Sequence, residues 1–75
     1  MSTKITAPMP GTVQSIKVKK GAVVSSSQVL VLLQTLKNEV SLKANGGSKF
    51  QVVDIAVSEG SNVRAGETLI VLKAI

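Results

Sequence analysis

Two stretches of the chain alternate apolar and polar residues with a period of two, T-V-Q-S-I-K-V at 12–18 and V-V-D-I-A-V at 52–57. That period buries one face of a pleated strand and leaves the other in water. Each stretch is followed by a glycine, Gly21 after K-K and Gly60 after S-E, where a positive φ meets no Cβ clash and the chain can turn. Polar stretches, S-S-S-Q and A-G-E-T, supply second turns a few residues later. Continuous apolar runs come next, Val29 to Leu33 and Thr68 to Leu72, as expected of strands packed on both faces or at a barrel seam.

These features repeat at an offset of 39. Val13 falls on Val52, Ile16 on Ile55, Val18 on Val57, Gly21 on Gly60, Val24 on Val63, Leu30 on Leu69 and Leu33 on Leu72. Neither half, about 5–36 and 44–75, could bury its apolar face alone. Two copies packed face to face share one core, so the expected fold is all-β, with two small antiparallel sheets related by a pseudo-twofold axis in a flattened barrel or sandwich. The expected core is Val13, Ile16, Val18, Val24, Leu30, Leu32, Val52, Ile55, Val57, Val63, Leu69 and Val71.

Composition strengthens the β reading, since valine, isoleucine and threonine make up 22 of the 75 residues and pack well on a pleated surface. A chain this short buries only about 60% of its unfolded surface, so residues 1–75 are expected to form one small domain. The residues it lacks narrow its chemistry. Without Cys or His it has no zinc site, thiol nucleophile, imidazole base or serine triad. The four acids, Glu39, Asp54, Glu59 and Glu67, stand singly, so no carboxylate pair or metal cage is written into the sequence. No catalytic or metal-ligating residue is assigned, and the chain is not expected to be an enzyme by itself.

Nine basic residues against four acidic ones raise the question of a polyanionic partner. The only basic cluster is Lys17, Lys19 and Lys20, and Phe50 is the sole aromatic on which a base could stack. The lysines are therefore read as a solubilising face, with no nucleic-acid partner. The N-terminal stretch lacks the apolar centre of a signal peptide, and the longest apolar run has five residues against the roughly 20 of a spanning helix. Membrane insertion is not expected, and the cytoplasm is the expected location.

Residues 34–44, Q-T-L-K-N-E-V-S-L-K-A, fall outside the repeat. Alternation resumes at Val40 and Leu42, so the chain is expected to reverse in a four-residue turn, Thr35 to Asn38, with Asn38 tolerating a left-handed backbone. Lys37 then stands at the tip and projects its amine on a four-carbon stem. Geometry alone allows this to be an ordinary solvated lysine.

A-P-M-P-G-T-V at 7–13, the K-x-G turn, L-L-x-x-x-K-x-E and the closing A-G-E-T-L-I-V-L resemble the biotinyl/lipoyl attachment domain family, specifically its biotin carboxyl carrier type. The resemblance covers residues 5–73. It implies a flattened barrel of two four-stranded sheets, a barrel-sandwich hybrid, and a biotin attached covalently to Lys37 by a biotin protein ligase. It also implies Leu36 and Asn38 as recognition flanks, and biotin carboxylase and carboxyltransferase or decarboxylase components as partners between which a carboxyl group is shuttled. Members usually carry E-A-M-K-M-E where this chain has Q-T-L-K-N-E, so only Lys37 and Glu39 match there. Lipoyl domains usually carry D-K-A, and Leu36 is nearer to Met than to Asp. A lipoyl carrier and an unmodified β-barrel for binding or assembly are the alternatives. The stretch Ala44 to Phe50 is about two residues longer than the usual A-P-x-D-G loop.

Overall fold

The computed structural model describes residues 2–44 and 49–75; most of the lengthened Ala44–Phe50 loop lies outside the described residues. Eight strands follow in order, β1 (Ser2–Thr6), β2 (Gly11–Ile16), β3 (Val23–Ser25), β4 (Val29–Gln34), β5 (Glu39–Lys43), β6 (Lys49–Ile55), β7 (Asn62–Val63) and β8 (Thr68–Ala74). They form two four-stranded antiparallel sheets, β1-β8-β6-β3 and β5-β4-β2-β7. The body measures 35 × 19 × 18 Å. The all-β, two-sheet expectation holds.

An offset of 39 maps one sheet onto the other, strand by strand. The backbone hydrogen bonds repeat with it. Gly21 N–H donates to Val52 O (2.8 Å) as Gly60 N–H donates to Val13 O (2.7 Å), and Val52 N–H donates to Ala22 O as Val13 N–H donates to Ser61 O, both at 2.8 Å. Each turn glycine is thus clamped to a strand of the other half. Gly21 and Gly60 have φ of 90° and 92°, the left-handed region in which a Cβ would clash. The short strands exchange as well, since β3 of the first half joins the sheet of β6 and β8, and β7 of the second half joins that of β2 and β4. This exchange is why one half has no stable sheet of its own.

The core fills the space between the sheets and includes Val13, Val24, Leu30, Leu33, Val52, Val63, Leu69 and Leu72. Ile16, Ile55 and Val57 pack on it while half-buried. Two core expectations are corrected. Leu32 and Val71 are only half-buried, and Val31 and Ile70 take the interior positions. The reason is a register irregularity in each sheet. The β4–β5 ladder steps from Val29 to Val31, leaving Leu30 as an extra residue, and the β1–β8 ladder leaves out Leu69 in the same way. An extra residue inverts the alternation beyond it, so Leu30 and Val31 both face inward, as do Leu69 and Ile70. The apolar runs therefore mark a bulge, and the expectation of strands covered on both faces gives way to strands half-exposed on the outside.

Candidate functional site

Among the described residues, strands β4 and β5 are the only consecutive pair joined by a tight hairpin, and the turn between them carries Lys37. The last ladder pair is Gln34 with Glu39. Beyond it Thr35 N–H donates to Asn38 O at 2.8 Å. The Thr35 hydroxyl closes the turn a second time, donating to Asn38 O at 2.7 Å and accepting from Asn38 N–H at 3.1 Å. Gln34 Nε2 adds a bond to Thr35 O at 3.0 Å. Three bonds between Thr35 and Asn38 leave the two intervening residues, Leu36 and Lys37, at a fixed apex.

Turn chemistry differs from expectation in one respect. Every positive φ among the described residues belongs to a glycine, so Asn38 does not adopt the left-handed backbone. The turn avoids it because the threonine hydroxyl takes the Asn38 N–H that a tighter turn would direct to a backbone carbonyl. Asn38 acts through its main chain, and its side chain faces solvent.

Lys37 is exposed, and none of the hydrogen bonds around the turn engages its amine. Leu36 is fully exposed beside it, so its side chain adds apolar surface to the turn and nothing to the core. The β1–β2 connection lies against the turn. Met9 and Pro10 line an open recess together with Thr35, Leu36, Lys37 and Asn38, and Met9 is 40% exposed. On the other flank Pro10, Gly11, Thr12, Asn62 and Val63 face Gln34, Thr35 and Leu36. Gly11 permits this approach, because a Cβ there would lie 2.6 Å from Gln34 O and 3.1 Å from Leu33 Cγ.

The turn thus brings together the three expected site residues, Leu36, Lys37 and Asn38. Thr35, Met9 and Gly11 were not assigned roles by sequence reasoning. Threonine opening a four-residue turn is a readable signal for the first; the other two depend on strands meeting across the sheet. Among the described residues no group of three acidic, His or Cys side chains gathers as a metal site. What the arrangement offers chemically is a single primary amine, held clear of the body, with an apolar surface around its base. Such a group suits acylation by an external enzyme.

Comparison with known proteins gives the family. Residues 3–72 match the biotin/lipoyl attachment family, described as that of biotin-requiring enzymes, and the chain belongs to that family. It is a homologue of the biotin carrier domains of carboxylases. It is 41% identical over 66 residues to a biotin carboxyl carrier protein of Streptococcus mutans, covering 88% of this chain and 49% of the relative. It is 31% identical over 72 residues to a putative urea carboxylase of Emericella nidulans, covering 95% of this chain and 6% of that protein. A single-chain, multi-domain long-chain acyl-CoA carboxylase superposes on 99% of this chain with a TM-score of 0.88 and 26% identity, over 7% of its own length. The chain therefore spans about half the length of the first of these relatives and a small fraction of the other two.

Proposed function

We propose that this chain is the biotin carrier of a biotin-dependent carboxylase or decarboxylase, with Lys37 as the covalent attachment point. The observation that carries the reading is the exposed Lys37 amine on a turn closed by the Thr35 hydroxyl and flanked by the fully exposed Leu36. Membership of a biotin-requiring family supports it.

An amide link needs an accessible, deprotonated amine, and among the described residues none of the hydrogen bonds around the turn gives Lys37 a base. The partner ligase supplies both the base and the activated acyl group. Lys37 Nζ attacks the acyl carbon of biotinyl-adenylate, the new C–N bond replaces the acyl–oxygen bond to AMP, and the displaced proton passes to the ligase. Leu36 presents an apolar contact to the ligase, and Thr35 holds the apex so that the amine enters in one orientation. When attached, biotin supplies a ureido nitrogen able to accept and release a carboxyl group. The remaining work is geometric. The lysine stem extends the attachment point from a rigid body, and tethering raises the effective concentration at each partner site, so weak transient encounters suffice. The partners in this reading are the ligase, a biotin carboxylase and a carboxyltransferase or decarboxylase component, and the chain's own side chains catalyse no step of carboxyl transfer.

Co-expression with a biotin ligase and biotin, followed by intact mass measurement, tests the assignment. The expected result is the mass of one biotinyl amide, abolished by Lys37→Ala. An unchanged mass, a lipoyl mass after exposure to a lipoate ligase in its place, or a biotinyl mass surviving in Lys37→Ala overturns it.

A further inference from the structure

The pseudo-twofold axis supplies an internal control for the surface, because most strand positions on one sheet have a counterpart 39 residues away on the other. The outer faces of the two sheets have diverged. On β1-β8-β6-β3, Lys4 pairs with Val71, Lys73 with Gln51, and Lys49 lies two residues from Gln51 on β6. Lys4, Lys73 and Lys49 therefore descend a diagonal across three adjacent strands, with about 7–8 Å between successive positions. All three are exposed. At the corner beyond β6, Gly21 N–H donates to Val52 O and the Gln51 side chain reaches Gly21 O, which brings Lys19 and Lys20 to the border of the same face. Five lysines thus accompany one acid, Asp54.

The counterpart positions on β5-β4-β2-β7 are Lys43 for Lys4, Gln34 for Lys73, Pro10 for Lys49, and Ser58 and Glu59 for Lys19 and Lys20. Of these counterparts only Lys43 is a lysine and only Glu59 an acid; Lys17 and Arg64, whose own counterparts are Ala56 and Ser25, are scattered on that side and form no such diagonal. Apolar exposure on the strands, away from the Lys37 turn, is uneven as well. Val23 is 57% exposed on the edge strand β3 and Val53 is 41% exposed at the β6 irregularity, whereas their counterparts are Asn62 and Gln14. A solubilising role alone places like charges no closer together on one face than on its twin. Adjacent like charges repel, and exposed valines lose solvation free energy, so the strands of this face bear two costs that their counterparts do not.

We infer that the outer face of β1-β8-β6-β3 is a docking surface for an acidic patch on a partner protein. The complement is a protein surface with carboxylates spaced along the lysine diagonal and an apolar contact for Val23 and Val53. A protein fits better than a nucleic acid, since the face carries no aromatic residue and no arginine. This face is distinct from the Lys37 turn, so a partner seated on it leaves the apex free. The identity of the partner as a carboxylase component rests on the carrier reading.

The test uses the full, unbiotinylated chain and the biotin carboxylase component of the source organism immobilised on a biosensor. Two charge-matched variants are compared, Lys49→Glu with Lys73→Glu, and Lys43→Glu with Arg64→Glu on the opposite sheet, each checked for wild-type circular dichroism. The first is expected to weaken binding by about tenfold or more and the second by less than about twofold, with wild-type affinity falling as salt rises from about 0.05 to about 0.5 M. Equal weakening by both variants, weakening by neither, or stronger wild-type binding to phosphatidylserine vesicles or duplex DNA overturns the proposal. Failure of the carrier reading registers separately, as an unshifted mass after ligase treatment.

Discussion

Gly11 and Phe50 occupy equivalent positions in the two halves, yet one has no side chain and the other is the sole aromatic of the protein. Both begin an inward-facing alternation, at β2 and β6 respectively, and their partners Val63 and Val24 are themselves equivalent. Phe50 is 3% exposed and plugs the end of the barrel where β1 and β8 run side by side. At Gly11 the same space is closed by backbone, with Gln34 O so near that no Cβ fits. The end that carries Lys37 is therefore pinched by main chain, and the opposite end is filled by a side chain. A pinched end has little volume to repack, so the turn above it is supported by hydrogen bonds and close approach, while the other end depends on hydrophobic burial.

The sharpest way to break this comparison is to empty the plugged end. Phe50→Ala is expected to cost about 3–5 kcal/mol, a large share of the stability of so small a domain, and urea titration followed by circular dichroism measures it. A loss below about 1 kcal/mol would remove Phe50 from its role. Gly11→Val attacks the other end. The collision with the Gln34 carbonyl is expected to cost about 1–3 kcal/mol, with hydrogen exchange of the Thr35 and Asn38 amides rising more than that of the β6–β8 ladder. Uniform exchange across both sheets would deny the local pinch.

Where the halves remain equivalent, substitutions should cost the same. Gly21→Val and Gly60→Val each place a β-branched residue at positive φ, for about 1–2 kcal/mol, and nothing lies within 4 Å of either Cβ position to add a further penalty. Melting temperatures lowered by similar amounts support the symmetry; an unaltered temperature in either variant contradicts the strain. The smallest stability effect belongs to the turn itself. Thr35→Val removes both hydroxyl bonds for about 0.5–1.5 kcal/mol, and the rate of ligase modification of Lys37 is expected to fall more than global stability does. Leu36→Met with Asn38→Met should leave unfolding within about 0.5 kcal/mol of wild type and change carboxylation kinetics more than attachment; a larger effect on attachment would make the ligase the main reader of the flanks.

Much of this architecture was legible from neighbours along the chain. Alternation located β2 and β6, the glycines located two turns, and the gap between the repeats located Lys37 at a hairpin apex. The choice between Leu32 and Val31, or Val71 and Ile70, was not legible, because a bulge on one strand is defined by which residues stand opposite it on another. The left-handed Asn38 expected from turn statistics was displaced by Thr35, whose hydroxyl offered an alternative partner only once the β4–β5 register set the width of the turn.

The sequence by itself determined that the protein is a duplicated β domain with a lysine between its halves, since periodicity, β-branching and glycine act over a few residues and need no distant partner. Only the tertiary structure decided which apolar residues face inward, that β3 and β7 exchange sheets, that Gly11 clears a path for Gln34, and that five lysines gather about one face. Those outcomes depend on strands tens of residues apart being brought within a few ångströms, and no local preference encodes that.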